Sequence, residues 1–294
     1  MIVIKVPATS ANIGPGFDSL GVALQLYLTL EIHEKTSHWI VDHDFNDDMP
    51  HDENHFIVQK ALLLAPQLTP HHIIVKSDIP LARGLGSSSS ALLAGLAMAN
   101  VINHLELSDD ALLSFATRLE GHPDNVAPAL FGGGVSAYYD GSKVYHAPLK
   151  IPKNVDFVTF IPNYELLTSE ARTALPATLP FKQSVAASAI SNTLIAALNA
   201  DHFDTASSLI EQDQFHELAR SALVPQLAVI RQIAHQLGIT GTYLSGAGPT
   251  VITIVPKNRA TTLLTALTAA NLPGNLYRLE QDTNGLTITK EEEL

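Results

Sequence analysis

Two glycines flanking a single leucine, Gly84 and Gly86, are followed at once by Ser87, Ser88, Ser89 and Ser90, and then by the small apolar run 91–99. Glycine lets the backbone turn through positive φ and lie close to a bound group. Serine hydroxyls suit the start of a helix, and a run that is apolar on every side suits a buried one. A glycine turn opening such a helix aims unpaired N–H groups and the positive end of the helix dipole at one spot. The chemistry predicted for Pro80, Leu81, Ala82, Arg83, Gly84, Leu85, Gly86, Ser87, Ser88, Ser89 and Ser90 is therefore anion binding, with phosphate the natural occupant. No Gly-Lys-Ser/Thr follows the glycines, so this is not a Walker A loop, and the third glycine of the dinucleotide fingerprint is missing.

Further stretches are dense in reactive groups. Glu120, His122, Asp124 and Asn125 stand close together among glycine and proline. Asn12 and Asp18 lie in 7–18, a segment too rich in small residues, Gly and Pro for a regular element; long ordered loops usually serve function. Phosphoryl transfer asks for a phosphate cradle, a divalent cation to spread charge and an aligned nucleophile. Residues 84–88 supply the cradle. An amino-acid acceptor would need an acid for its ammonium, and Asp18 is available. It would also need arginine for its carboxylate, since the planar guanidinium bonds bidentately. Another polar stretch, 38–55, carries His38, Asp42, His43, Asp44, Asp47, Asp48, His51, Asp52, Glu53 and His55. With neither cysteine nor His-Glu-x-x-His spacing, it reads as a solvated loop rather than a metal site.

The elements that must carry these groups alternate. Strands are predicted over 1–6, 20–32 and 72–77, and helices over 54–64, 91–100 and 108–119, the last capped by Ser108 with Asp109 and Asp110 favouring its first turn. A hairpin turns at Asp140-Gly141 between 135–139 and 144–146. Residues 151–154 form a boundary between domains 1–152 and 153–294. Beyond it come strand 155–161, loop 164–172, helices 184–198, 203–212 and 224–237, strands 242–244 and 250–255 about a Gly-rich turn, helix 260–270, and strands 276–279 and 286–289. This order predicts a two-domain α+β protein: a mixed sheet with helices on one face, then a ferredoxin-like sandwich with extra helices. The 294 residues have room for two modest cores. The chain has no cysteine, which fits the cytoplasm. It has no long apolar run, and Met1 leads straight into a strand, so neither a membrane span nor a signal peptide is expected. A net charge of −12 argues against nonspecific nucleic-acid binding. It also requires any nucleotide's cations to be local: a metal ion and a few arginines.

From end to end the chain resembles the GHMP kinases. Residues 80–90 are similar to the family's Pro-x-x-x-Gly-Leu-Gly-Ser-Ser-Ala-Ala, departing at Ser89 and Ser90, where alanine is usual. The run Pro7-Ala8-Thr9-Ser10-Ala11-Asn12-Ile13-Gly14-Pro15-Gly16-Phe17-Asp18 resembles the first motif of the homoserine kinase branch. Glu120-Gly121-His122-Pro123-Asp124-Asn125-Val126-Ala127-Pro128 matches another run of that branch, and Leu244-Ser245-Gly246-Ala247-Gly248-Pro249-Thr250 resembles the third GHMP motif. Thr168 with Arg172, and Arg220 with Leu223 and Pro225, are similar to its Thr-x-x-x-Arg and Arg-x-x-Leu-x-Pro patterns. The resemblance implies a GHMP kinase-like fold: a nucleotide-binding N-terminal domain of the ribosomal protein S5 domain 2-like type, a C-terminal ferredoxin-like domain, and an active site between them. It implies ATP-dependent phosphorylation of the L-homoserine hydroxyl on the route to threonine. By the same transfer Ser88 and Glu120 hold Mg²⁺, Asn54 lies near the adenine, and Asn125 stands near the transferring group. Asn12, Asp18, His122, Asp124, Thr168, Arg172 and Arg220 line the substrate pocket; whether Asp124 is a general base or an ammonium ligand stays open. Mevalonate, phosphomevalonate and galactose kinases share the scaffold and are the alternatives within the class. A noncatalytic nucleotide-binding sensor and a Zn²⁺-binding protein using 38–55 are the alternatives outside it. Expected partners are the small-molecule substrate, with no nucleic acid and no membrane, and a homodimer is compatible with the family.

Overall fold

The computed structural model describes residues 1–45 and 48–290, so Asp47 of the acidic stretch lies outside the described residues. The first half runs β1 (Ile2–Ala11), β2 (Leu20–Lys35), β3 (Ile40–His43), α1 (Phe56–Leu64), β4 (His71–Ser77), α2 (Ser87–Ile102), α3 (Asp109–Glu120), α4 (Val126–Phe131), β5 (Gly134–Tyr139) and β6 (Val144–Leu149). The second runs β7 (Val155–Pro162), α5 (Thr168–Thr173), α6 (Phe181–Asn199), α7 (Phe203–Ile210), α8 (Glu217–Arg220), α9 (Gln226–Gln236), β8 (Thr242–Leu244), β9 (Val251–Pro256), α10 (Lys257–Ala269), β10 (Gly274–Leu279) and β11 (Thr287–Lys290).

In β2 the buried residues Leu28, Leu30 and Ile32 alternate with the less buried Thr29 and Glu31, the period-2 pattern of a sheet covered on one face. Its partner β1 continues beyond residue 6 because the ladder resumes after a bulge at Pro7/Ala8 and runs on to Ala11↔Gly21. A proline inside a strand is accommodated at such bulges. The path is β11-β1-β2-β4-β3, with β5 on β2 and β6 on β5. The sheet is mixed because β3 runs parallel to β4 while its other pairs are antiparallel. Helix α2 is buried from Leu92 through Ala99, packed on β1 and β2 and flanked by α1, α3 and α4.

The second sheet has the order β10-β7-β9-β8, antiparallel throughout. With α9 preceding β8 and α10 preceding β10, this is the ferredoxin-like arrangement. Period-2 alternation divides its apolar residues between two cores. Phe157, Ile161, Ile252 and Ile254 join the large core that also holds Ile4, Leu30, Leu96, Leu194 and Ile210. Val158, Phe160, Val251 and Val255 face Leu227 and Ile230 of α9 and Leu263 and Leu267 of α10. The large core thus runs across the 151–154 boundary. So does β11, which returns to the first sheet and pairs with β1 from Ile2↔Lys290 to Lys5↔Thr287. No helix among the described residues is long and apolar enough to cross a membrane.

Candidate active site

Gly86 caps α2 in the left-handed region (φ 69°) with no side-chain cap bond, which leaves the first-turn N–H groups of the helix for another acceptor. A Cβ at Gly86 would fall 2.0 Å from Thr9 Oγ1, so no larger residue fits the turn. One at Gly84 would fall 2.5 Å from the carbonyl of Ser245 and 2.8 Å from that of Gly248. The Gly-rich turn of the second half therefore sits directly on the 80–90 loop. It is tied there by Ser245 Oγ donating to Gly84 O (2.6 Å) and Thr250 N to Arg83 O (3.3 Å). Ser90, where the family usually has alanine, buries its hydroxyl and donates it to Pro7 O at 2.8 Å, pinning the helix to β1 at the bulge. Leu85 is a core residue whose carbonyl accepts from Thr9 N. Ala82, Arg83, Gly84, Gly86, Ser87, Ser88 and Ser89 line a cavity of about 520 Å³.

Glu120 ends α3, and its carboxylate accepts from Ser88 Oγ at 3.0 Å, so two hard oxygen groups meet at the mouth of α2. Asn125 lies on the inner side of the same turn. Its Oδ1 accepts from Thr9 Oγ1 at 2.8 Å and its Nδ2 donates to Asp124 Oδ1 at 3.3 Å. Asp124 is nearly fully buried and also meets His122 Nδ1 at 2.5 Å. Burial disfavours the His122 imidazolium, but the bond and charge of Asp124, helped by Asp18, outweigh it and raise the pKa above the usual 6.5. One ligand atom each from Asp18, His122 and Asp124 come within 4.8 Å of one another, a cation-ready cluster.

The arginines reach this cluster from short helices. Arg172 on α5 grips Asp18 bidentately, Nη2 to Oδ1 at 2.8 Å and Nη1 to Oδ2 at 3.2 Å. Arg220 on α8 is buried and donates to the carbonyls of Ala171 (3.1 Å) and Gly246 (3.0 Å). It also bonds to Nδ1 of His216 (3.1 Å), whose Nε2 faces Gly14 O (3.1 Å). Since guanidinium and carbonyl fix the roles, His216 accepts at Nδ1 and donates at Nε2. Burial, then repulsion from Arg172, brings the Arg220 pKa down to about 10. Its Nη2 has no protein acceptor among the described residues. One residue into α8, buried Glu217 accepts from Leu244 N and Arg231, anchoring that helix to β8. Asn12 (φ 72°) serves as a brace: its Nδ2 donates to Gly246 O at 3.0 Å and its Oδ1 accepts from Asp18 N at 3.0 Å.

Of the residues singled out in the sequence, Asn12, Asp18, Glu120, His122, Asp124, Asn125, Thr168, Arg172 and Arg220 all line the same cavity as the glycine–serine loop. Leu81 instead lines a second, apolar cavity of about 280 Å³ with Phe45, Met49, His55 and Phe56, which shares Ala82, Ser87 and Ser88 with the first. Asn54 lines neither; it is exposed and its amide donates to Asp52. The described residues of the 38–55 stretch are not all solvated loop. Part of it is β3, and His55 is buried, capping α1 by accepting from Ile57 N. Burial, with His43 and His51 nearby, pushes its pKa down to about 4. Phe17, Leu166, Leu167 and the turn Gly246, Ala247 and Gly248 also line the main cavity. Phe17 stood in the first motif, and an aromatic among Gly and Pro is its signal. Thr9 stood in that motif too, whereas His216 carries no signal, because it acts through another residue.

Residues 55–133 match the model of the GHMP kinases N terminal domain and residues 194–273 that of the GHMP kinases C terminal domain. A homoserine kinase of Leuconostoc mesenteroides is 71% identical over 290 residues, spanning 99% of each chain. One from Streptococcus suis is 48% identical over 97% of this chain and 99% of that one. The crystal structure of homoserine kinase from Cytophaga hutchinsonii has a TM-score of 0.83 at 27% identity, covering 98% of this chain and 97% of the other. L. major mevalonate kinase, with a TM-score of 0.73 at 16% identity over 96% and 95% of the chains, shares the fold alone. With both family domains in place and full-length identity of this degree, the chain belongs to the GHMP kinase family and, within it, to the homoserine kinases.

Proposed function

We infer that the chain transfers the γ-phosphoryl group of ATP to the side-chain hydroxyl of L-homoserine, giving O-phospho-L-homoserine for threonine synthesis. One observation carries this reading: phosphate donors, a hydroxyl–carboxylate pair, and an acid with two guanidiniums line the same cavity. The first turn of α2 would hold the phosphate oxygens, and the apolar cavity beside Ser87 and Ser88 suits the base. Ser88 and Glu120 fit Mg²⁺, which prefers hard oxygens and keeps several waters. When bound, that ion would spread the charge of the triphosphate. Asp18 and Asp124 would take the substrate ammonium, and Arg172 and Arg220 its carboxylate.

The hydroxyl oxygen forms a bond to the γ-phosphorus, the bond from that phosphorus to the bridging oxygen breaks, ADP leaves, and the hydroxyl proton is released. Asn125, braced by Thr9 beside Gly86, is positioned to donate to the transferring group. With a loose transition state, the site works mainly by alignment and charge stabilisation. Mevalonate has no ammonium for Asp18 and Asp124, and galactose has no carboxylate for the arginines, so either would leave charged groups unmatched. A reaction drawing on ATP fits a cytoplasmic enzyme.

A coupled ADP-release assay with homoserine, mevalonate, galactose and threonine tests the assignment. Rapid turnover with homoserine alone is expected; equal or faster turnover with mevalonate or galactose, or nucleotide binding without turnover of any acceptor, overturns it.

A further inference from the structure

Phe17 lines the main cavity beside Asp18. The guanidinium carbons of Arg172 and Arg220 stand 5.7 and 5.6 Å from the centroid of its ring, within the range at which a cation is drawn to an aromatic face. His216, which accepts from Arg220, stacks on the same ring at 5.4 Å, and Phe215 lies at 6.2 Å. Two guanidiniums converging on one place repel each other. In the structure Asp18 offsets that repulsion by gripping Arg172, but Asp18 is also the acid offered to the substrate ammonium. Once the ammonium shares that carboxylate, something else must keep the arginines together. A second acid would do so only by neutralising them and repelling the substrate carboxylate. An aliphatic side chain would give no attraction. An aromatic face attracts both cations while leaving their charge unspent.

We propose that Phe17 is a positioning residue for carboxylate recognition: its ring holds Arg172 and Arg220 as one cationic seat and so sets how strongly the enzyme demands an α-carboxylate on its substrate. The proposal rests on the assignment of the two arginines to that carboxylate. Its test compares wild type, Phe17→Leu and Phe17→Tyr on L-homoserine and on 3-aminopropan-1-ol, which is the same molecule with hydrogen in place of the carboxylate. The Michaelis constant for ATP serves as the internal measure of an intact fold. Phe17→Met is the second aliphatic variant should Phe17→Leu be insoluble.

Removing the ring is expected to raise KM for homoserine about tenfold. It should leave KM for aminopropanol and for ATP within about twofold, and tyrosine should restore the wild-type value. Equal increases for both acceptors, or no rescue by tyrosine, would overturn the role of Phe17. A wild-type enzyme that uses aminopropanol as well as homoserine would instead overturn the underlying assignment of the arginines.

Discussion

The wall of the cavity proposed to hold phosphate comes from one short piece of chain, 84–89, at the start of a helix whose burial is fixed by its own composition. The wall of acids and arginines draws on the 12–18 loop, the 122–125 turn, α5 and α8, and its groups are already paired with one another, Asp18 with Arg172 and His122 with Asp124. On the first wall the donors are backbone groups with nothing to compete for them. On the second, a substrate bound as proposed would exchange one set of charged partners for another. Charge-assisted bonds can be exchanged at little net cost when every group finds a new partner of the right sign. The second wall therefore gains selectivity: a ligand lacking either charge leaves a buried group without its partner.

The sharpest way to test this contrast is to remove the charge that Glu120, at the end of α3, sets against Ser88 of the first wall. Glu120→Gln keeps the shape and the bond to Ser88 but removes the hard anionic oxygen. It should lower kcat by about 100-fold or more, with KM for homoserine little changed. A loss of less than about tenfold in steady-state kinetics would return Glu120 to a helix-end residue without a part in charge stabilisation.

On the second wall the effect should shift from kcat to KM. Arg172→Gln removes half of the proposed carboxylate seat and releases Asp18 from its bidentate partner. KM for homoserine should rise about 30-fold while KM for ATP holds. An equal rise in both constants would mean that Arg172 supports the whole cleft rather than the substrate.

The two walls also differ in how far the sequence announces them. Gly84, Gly86 and the serines are contiguous, and the reason for glycine there is local, so loop, helix and anion site can be read together. Arg172 and Arg220 are carried by α5 and α8, helices of 6 and 4 residues, too short to show a 3.6-residue period. Only the resemblance pointed to them. Strand β3 was hidden among acids and histidines, because what makes Ile40–His43 a strand is its ladder with β4 rather than its own composition. The ferredoxin-like sheet was legible in element order. The return of β11 to β1 was not, since nothing in Thr287–Lys290 says which sheet edge it will meet.

A smaller effect separates a ligand from a base within the second wall. Asp124 Oδ1 already accepts from His122 and Asn125, which suits an anchor for an ammonium better than a carboxylate kept free to take a proton. Asp124→Asn should raise KM for homoserine about tenfold and leave kcat within about threefold. A kcat loss of about 100-fold at unchanged KM would make it the base.

The least of these effects is a pH response of His122. Its pKa is raised in the folded protein by Asp124 and Asp18, against the pull of burial. A group raised by its folded-state partners adds stability that is fully present below its ordinary pKa and is lost as pH rises through the folded value. The window therefore opens near 6.5 and extends upward. Deprotonation across it removes a positive charge from a cluster that also holds Asp18 and Asp124, so the remaining field favours a substrate ammonium more strongly. Stability and affinity should thus move in opposite directions. As pH rises through the window, the midpoint of thermal unfolding should fall while KM for homoserine drops about threefold. Both steps should vanish in His122→Asn. A KM that instead climbs with pH in the wild type, and no longer does so in the variant, would show the imidazolium serving the carboxylate end of the substrate and would move His122 to the side of Arg172 and Arg220.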